Sequence, residues 1–377
     1  MMNSKKRKSM ENKGREIPAE LIWLIFSKLP FVNLPSCRLV CKAWSDVVLT
    51  GKLHPSISIS NHLFLAHDYL FDPNLQCLHL DPKYLGGMCN VAKFRFHPDF
   101  VLSSTYISIV NFCNGLLCCK FEHRTTKMPP YENVEVCILN PMTNEYFKPP
   151  ISNASKDRWY YCYRFGFSPK TKQYKLVRFF YSCDKAAILL ETFTFGTNCK
   201  STYVSCVPSS MSMEEHSVYF NGSLYWIGKQ LKHPTNVLYR LDIEKEELQE
   251  ISFPQSGGCC SIGVFNGSLY LTLAQGRYHA YHVWKMEEDF SWTKAFDVLL
   301  PKIYVHHRRL YDSQLQLIRA CDDGKILCLI SGLDLILYNS KTQRMESLTY
   351  QHLNIKKVHR IDSFNFDSLH KILTGDA

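Results

Sequence analysis

The sequence predicts a mainly β protein, a β-propeller of six blades preceded by a short α-helical module. Three observations carry this expectation. Apolar residues at helical spacing are concentrated between Ile17 and Val48; beyond residue 55 the texture changes to short strands divided by a recurring Asn-Gly or Asp-Gly turn; and strand-like segments are left over at both ends of the repeat region. The expected division is a basic tail over residues 1–15, a helical module over 16–55 and the propeller over 56–377.

In the helical module Ile17, Leu21, Ile25 and Leu29 recur every fourth residue and stack on one face, with Ile22 and Phe26 widening the stripe. Pro18 falls near the first helical position, where a missing N–H is harmless. Leu29-Pro30 stops this helix. Asn33 is placed to cap a second helix with Pro35 in its first turn and Cys37, Val40, Cys41 and Trp44 on its apolar side. The expected structure is a helical hairpin with a further apolar turn. Little apolar chain lies nearby to cover it, so the segment calls for a partner.

The propeller rests on the repeat. Asn111 to Cys119, Phe220 to Trp226, Phe265 to Leu271 and Cys321 to Cys328 each place Asn-Gly or Asp-Gly between β-prone runs, the chemistry of a tight hairpin that needs positive φ. Phe165 to Val177 supplies a fifth hairpin with a longer turn. A second hairpin follows each one: Val136 to Phe147, Ile188 to Val204, Val237 to Ile251, Tyr281 to Trp292 and Leu335 to Met345. Two hairpins make the four strands of a blade. Gly115, Gly166, Gly222, Gly267 and Gly324 are spaced by 51, 56, 45 and 57 residues, near the period expected for blades with loop insertions.

A propeller must close, because an open ring leaves bare strand edges. The tail Val358 to Phe366 and the runs Leu63 to Ala66 and Cys77 to Leu80 can supply a sixth blade built from both ends. An irregular two-sheet β-sandwich is the alternative. In either fold the turn glycines serve backbone shape, and Tyr225, Trp226, Tyr270 and Trp284 pack between sheets. Function falls to the loops, of which Phe121 to Asn133, Ser152 to Trp159, Gly228 to Asn236 and Lys302 to Ser313 are the longer inserts.

Composition excludes several classes. Hydrophobic residues make up 46% and charged residues 21%, enough for a well-buried core. No run of eighteen apolar residues exists, and Lys5 to Lys8 is followed by polar residues instead of an apolar signal core, so an intracellular protein that crosses no membrane is expected. The net charge is +10, but residues 1–15 carry six basic side chains and one acid, or +5, leaving +5 for the other 362. That basic tail reads equally as a nuclear import signal or a solvated leader. Nucleic-acid binding is not expected, since His306 to Arg309 is the only other dense basic group. The sixteen cysteines include no C-x-x-C pair, and Cys118 and Cys119 are strand neighbours that point to opposite faces, so most are taken as buried thiols, with no metal or cofactor expected. Asn221-Gly-Ser and Asn266-Gly-Ser match the glycosylation acceptor pattern but are explained as turns. No nucleophile elbow, phosphate loop or zinc-protease motif occurs.

Ile17-Pro18, the fourfold leucine spacing, Leu29-Pro30 and then Arg38, Val40, Cys41, Lys42 and Trp44 resemble the F-box. The departure is Pro35-Ser36-Cys37, where that family more often carries aliphatic or basic residues. Cys113 to Cys119, Leu139 to Pro150, Phe165 to Val177 and Leu238 to Pro254 resemble, in order, phrases of the F-box-associated domain of plant F-box proteins, and the blade pattern is similar to kelch propellers. The resemblance implies a non-catalytic, substrate-recognition subunit of a cullin-based ubiquitin ligase, in the nucleus or cytoplasm. It implies that Ile17, Pro18, Leu21, Ile25, Leu29, Pro30, Leu34, Val40, Cys41 and Trp44 dock a Skp-type adaptor, and through it cullin, while propeller loops grip an unidentified target protein. A propeller enzyme and a non-degradative scaffold that holds the adaptor are the alternatives.

Overall fold

A computed structural model of the chain describes residues 17–26, 29, 33–49, 62–67, 74–79, 90–95, 105–123, 134–141, 143, 145–150, 158–182, 187–196, 200–207, 211–230, 235–255, 260–275, 280–300, 314–321, 324–330, 335–348, 355–360 and 369–374. The chain divides into two compact units, Met1–Ser58 and Ile59–Ala377.

The first unit holds α1 (Ala19–Phe26), the four-residue α2 (Leu34–Cys37) and α3 (Lys42–Leu49). Pro18 stands just ahead of α1, and its carbonyl accepts the N–H of Ile22 at 3.1 Å, so the proline that can donate nothing starts the helix. The expected second helix is two. Cys37, Val40, Cys41 and Trp44 keep helical spacing, but the chain turns through Arg38 to Val40, with Leu39 N–H to Ser36 O and Val40 N–H to Cys37 O closing tight three-residue turns. Asn33 occupies the N-cap of α2 without a side-chain capping bond.

Among the described residues the second unit forms six four-stranded antiparallel sheets. In chain order the first strands are β1 (His62–His67), β2 (Asn74–His79) and β3 (Asn90–Arg95). The next sheet is β4 (Thr105–Cys113), β5 (Leu116–His123), β6 (Val134–Asn140) and β7 (Glu145–Phe147). Then come β8 (Arg158–Ser168), β9 (Gln173–Ser182), β10 (Ala187–Thr194) and β11 (Lys200–Val207). The fourth comprises β12 (Met211–Phe220), β13 (Ser223–Gln230), β14 (Asn236–Asp242) and β15 (Glu247–Ile251). The fifth comprises β16 (Cys260–Phe265), β17 (Ser268–Gln275), β18 (Ala280–Met286) and β19 (Trp292–Leu299). The sixth comprises β20 (Leu315–Ala320), β21 (Lys325–Ile330), β22 (Leu335–Asn339) and β23 (Arg344–Leu348). Finally β24 (Ile355–Arg360) returns to pair with β1, giving the order β24-β1-β2-β3, and a short helix α4 (Leu369–Thr374) follows.

This is the blade made from both ends, and it excludes the sandwich alternative. Its register pairs Leu63 with Arg360 and Leu65 with Val358, so a hydrogen-bonded seam joins the two ends of the domain. The third strand of that blade, Asn90–Arg95, was not foreseen from sequence. The first strands of successive sheets, β4, β8, β12, β16, β20 and β24, lie against one another.

The turns follow their chemistry. Asn114-Gly115, Asn221-Gly222 and Asn266-Gly267 all have positive φ, as the tight hairpins demand. Four further hairpin turns reach positive φ on residues other than glycine, at Lys172, Glu246, Phe290 and Gln343, while Gly324 has it in the turn from Cys321 to Lys325. Polar side chains brace them. Asp242 Oδ1 accepts the N–H groups of Glu244 and Lys245 at 3.0 Å each, and Asn339 Oδ1 does the same for Lys341 and Thr342.

Gly166 departs from the expectation. It sits inside β8, not in a turn, and a Cβ there would lie 2.9 Å from Ile243 Cδ1 and 3.4 Å from a Leu224 carbon. Its service is close approach of neighbouring sheets, so Gly166→Val is expected to destabilise the domain by about 1–3 kcal/mol, measured by denaturant unfolding.

Packing between sheets is apolar and aromatic, stitched by polar contacts. Trp226 is 0% exposed, stacks on Tyr239 at 5.7 Å and meets Phe179 of the preceding sheet at 5.3 Å. The Arg164 guanidinium lies 5.3 Å from the Trp226 ring centre. Tyr225, Tyr270 and Trp284 likewise pack into the clusters between sheets. Asn111 on β4 donates to Phe165 O at 2.6 Å and accepts from Phe165 N–H at 3.1 Å, tying β4 to β8. Tyr219 OH donates to Phe167 O at 2.8 Å, and Tyr338 OH to Asp297 O at 2.9 Å. Asn111→Ala, which strands two buried backbone groups, is expected to lower stability by about 2–4 kcal/mol in the same assay.

Candidate functional site

In the first unit, the candidate site is an apolar surface that its own core leaves uncovered. Seven of the eight residues of helix α1 are apolar, Glu20 in the first turn being the exception, and so apolar a helix is one meant to be covered on more than one side. One face is covered from within. Ile22 and Phe26 are each 1% exposed, Leu34, Cys37, Val47 and Val48 are buried in the same unit, and Phe26 meets Trp44 edge to face at 5.1 Å.

The opposite face is bare. Ile17 is 47%, Leu21 51%, Leu24 59% and Ile25 39% exposed, and after α2 the turn presents Leu39 at 87% and Val40 at 61%. Solvent exposure of single apolar residues is ordinary; six of them on one small helical unit is the signature of an interaction surface. Cys41 adds an exposed thiol beside it, whereas burial pushes the Cys37 thiol up.

The structure therefore divides the residues singled out from sequence. Ile17, Pro18, Leu21, Ile25, Val40 and Cys41 are exposed, Leu29 and Trp44 are half-buried, and Pro30 lies outside the described residues. Leu34 is 1% exposed and belongs to the unit's own core, so it reaches no partner while the helices stay packed. Ile22 and Phe26, expected to widen the outer stripe, form the inner one. Leu24 and Leu39 were missed. Leu24 lies three residues from Leu21 and so shares its face, a signal that stepping by four overlooks; Leu39 sits in a turn, where periodicity has no purchase.

On the propeller, the insert Lys302 to Ser313 lies outside the described residues, as do most of Phe121 to Asn133, Ser152 to Trp159 and the central part of Gly228 to Asn236. The basic tail and His306 to Arg309 lie outside them as well. Among the described residues no group of three or more His, Cys, Asp or Glu side chains is placed to hold a metal ion, and no helix is long and apolar enough to cross a membrane. Among the cysteines whose exposure is described, Cys41 is exposed and the others are buried. Burial holds the Cys118 and Cys119 thiols well above their ordinary range and pushes Cys137 up to about 12. These are thiols kept out of chemistry, and iodoacetamide applied to the native protein is expected to modify Cys41 well before them, read by peptide mass spectrometry.

Comparison with known proteins settles the family. The family described as the F-box associated beta propeller domain matches residues 83–373, and an F-box-like family matches residues 15–60. The chain belongs to the F-box-associated β-propeller family. It is similar over most of its length to F-box proteins of Arabidopsis thaliana. F-box protein At3g07870 is 23% identical over 86% of this chain and 83% of its own length, F-box protein CPR1 23% over 88% and 84%, and F-box protein At5g49610 26% over 74% and 77%. Among solved structures, the β-propeller domain of the Trilobed protease from Pyrococcus furiosus is similar over 66% of this chain and 86% of that chain, with 13% identity and a TM-score of 0.36. The Hadza microbial sialidase Hz136 is similar over 68% and 56%, with 9% identity and a TM-score of 0.43. Likeness this loose carries nothing about chemistry. The kelch repeat as such has no support beyond the shared propeller architecture.

Proposed function

We propose that this F-box protein is the substrate-recognition subunit of a Skp–cullin–F-box ubiquitin ligase, docking a Skp-type adaptor through its first unit and a target protein through propeller loops. The single observation that carries the reading is the bare apolar face formed by Leu21, Leu24, Ile25, Leu39 and Val40 on a unit whose other face is already buried. Covering those side chains removes apolar area from water, and each one fully buried contributes about 1.5–3 kcal/mol before the entropy of association is subtracted.

On this reading the chain supplies no catalytic side chain. Its mechanism is effective concentration: a target held by the propeller has its lysines kept near the activated ubiquitin that the cullin assembly carries. Such a subunit works in the nucleus or cytoplasm, and Lys5 to Lys8 would serve import to the former.

The test is reconstitution. Purified chain, adaptor, cullin and RING partner are combined, and co-elution with cullin is measured with and without residues 16–50. Loss of co-elution on deletion, with cullin captured by the intact chain, is expected; cullin capture that survives the deletion would sink the reading. Adaptor binding should also shield Cys41 from iodoacetamide, because the thiol borders the proposed face. A ubiquitination assay on proteins retained by the propeller then separates a ligase subunit from a scaffold.

A further inference from the structure

The C-terminal helix α4 plays no part in the docking argument, yet its placement on the propeller is specific. Six residues are too few to hold a helix in water unaided, so its order depends on its seat. Leu369 and Leu373 are 2% and 5% exposed within the core shared by the β4–β7 and β8–β11 sheets, and the helix touches β7 and β9. The carboxylate of Glu145 on β7 accepts the backbone N–H of Leu369, satisfying a donor that the first helical turn leaves open. This helix follows β24, the strand that closes the ring by pairing with β1. One short tail thus engages three successive sheets, the seam sheet through β24 and the two beyond it through α4.

We propose that α4 is a displaceable latch, a second closure element that holds the propeller shut across the β24–β1 seam. Strand pairing at the seam and helix docking beyond it then act as one unit, and releasing the helix loosens the seam.

The experiment uses the full chain. Leu373→Asp places a charge in the seat while leaving every described strand unaltered in sequence. Hydrogen exchange along β24 and β1 is expected to quicken about ten-fold, with β16–β19 unchanged. A fluorescent peptide of residues 367–377 is expected to bind the variant but not the parent, whose own helix fills the seat. Unchanged exchange at the seam overturns the proposal, as does a peptide that binds both proteins or neither. Should Leu373→Asp fail to fold, Glu145→Ala, which removes the acceptor of the Leu369 N–H, decides the matter: a faster seam supports the latch, and exchange equal to the parent's contradicts it.

Discussion

Replacing Leu21 and Ile25 together by aspartate is expected to abolish adaptor capture while leaving the melting of the propeller where it was. Both side chains are exposed, 51% and 39%, so the carboxylates rest in water in the free chain and do not disturb the packing of Ile22 and Phe26. In the complex each would be a charge pressed against an apolar partner. An unpaired carboxylate there costs several kcal/mol, and even about 3 kcal/mol in total is more than 100-fold in affinity. Trp44→Asp is a poorer choice, because Trp44 packs on Phe26 and its loss would unseat the helices themselves. Isothermal titration with purified adaptor, alongside calorimetric melting, reads both halves of the expectation.

The largest effect on stability is expected at Trp226. It is fully buried, stacked on Tyr239, packed on Phe179 and under the Arg164 guanidinium, so it joins the β8–β11 sheet to the β12–β15 sheet. Trp226→Ala leaves a cavity that backbone pairing on both sides prevents from collapsing, and a loss of about 3–5 kcal/mol follows. Unfolding monitored by denaturant should show this loss in the propeller transition alone. The two variants are complementary: the first removes binding and spares stability, the second removes stability and spares the docking face.

What could be read from sequence follows physical lines. The blades were legible because Asn-Gly turns have one conformational use, and the structure gives positive φ at Asn114, Asn221 and Asn266 as that use requires. Closure was legible because leftover strands at both ends had nowhere else to pair. Four other hairpins were seen as turns of unspecified kind, since their positive-φ position falls on Lys172, Glu246, Phe290 or Gln343, residues with no turn signature of their own. Gly166 was misplaced because a glycine that admits a neighbouring sheet looks, in sequence, like a glycine that bends the chain. In the F-box, counting by four found Leu21 and Ile25 but joined them to Ile22 and Phe26, which face inward; with seven of the eight residues of α1 apolar, only burial in the folded unit and the Phe26–Trp44 contact tell the two faces apart.

The docking claim is tested most directly by hydrogen exchange and side-chain labelling of the intact chain with and without a purified Skp-type adaptor. The account predicts new protection confined to residues 17–25 and 38–41, including Cys41, with the propeller strands unaffected. Tight adaptor binding that leaves those residues unprotected, or protection that appears on the blades instead, would contradict it.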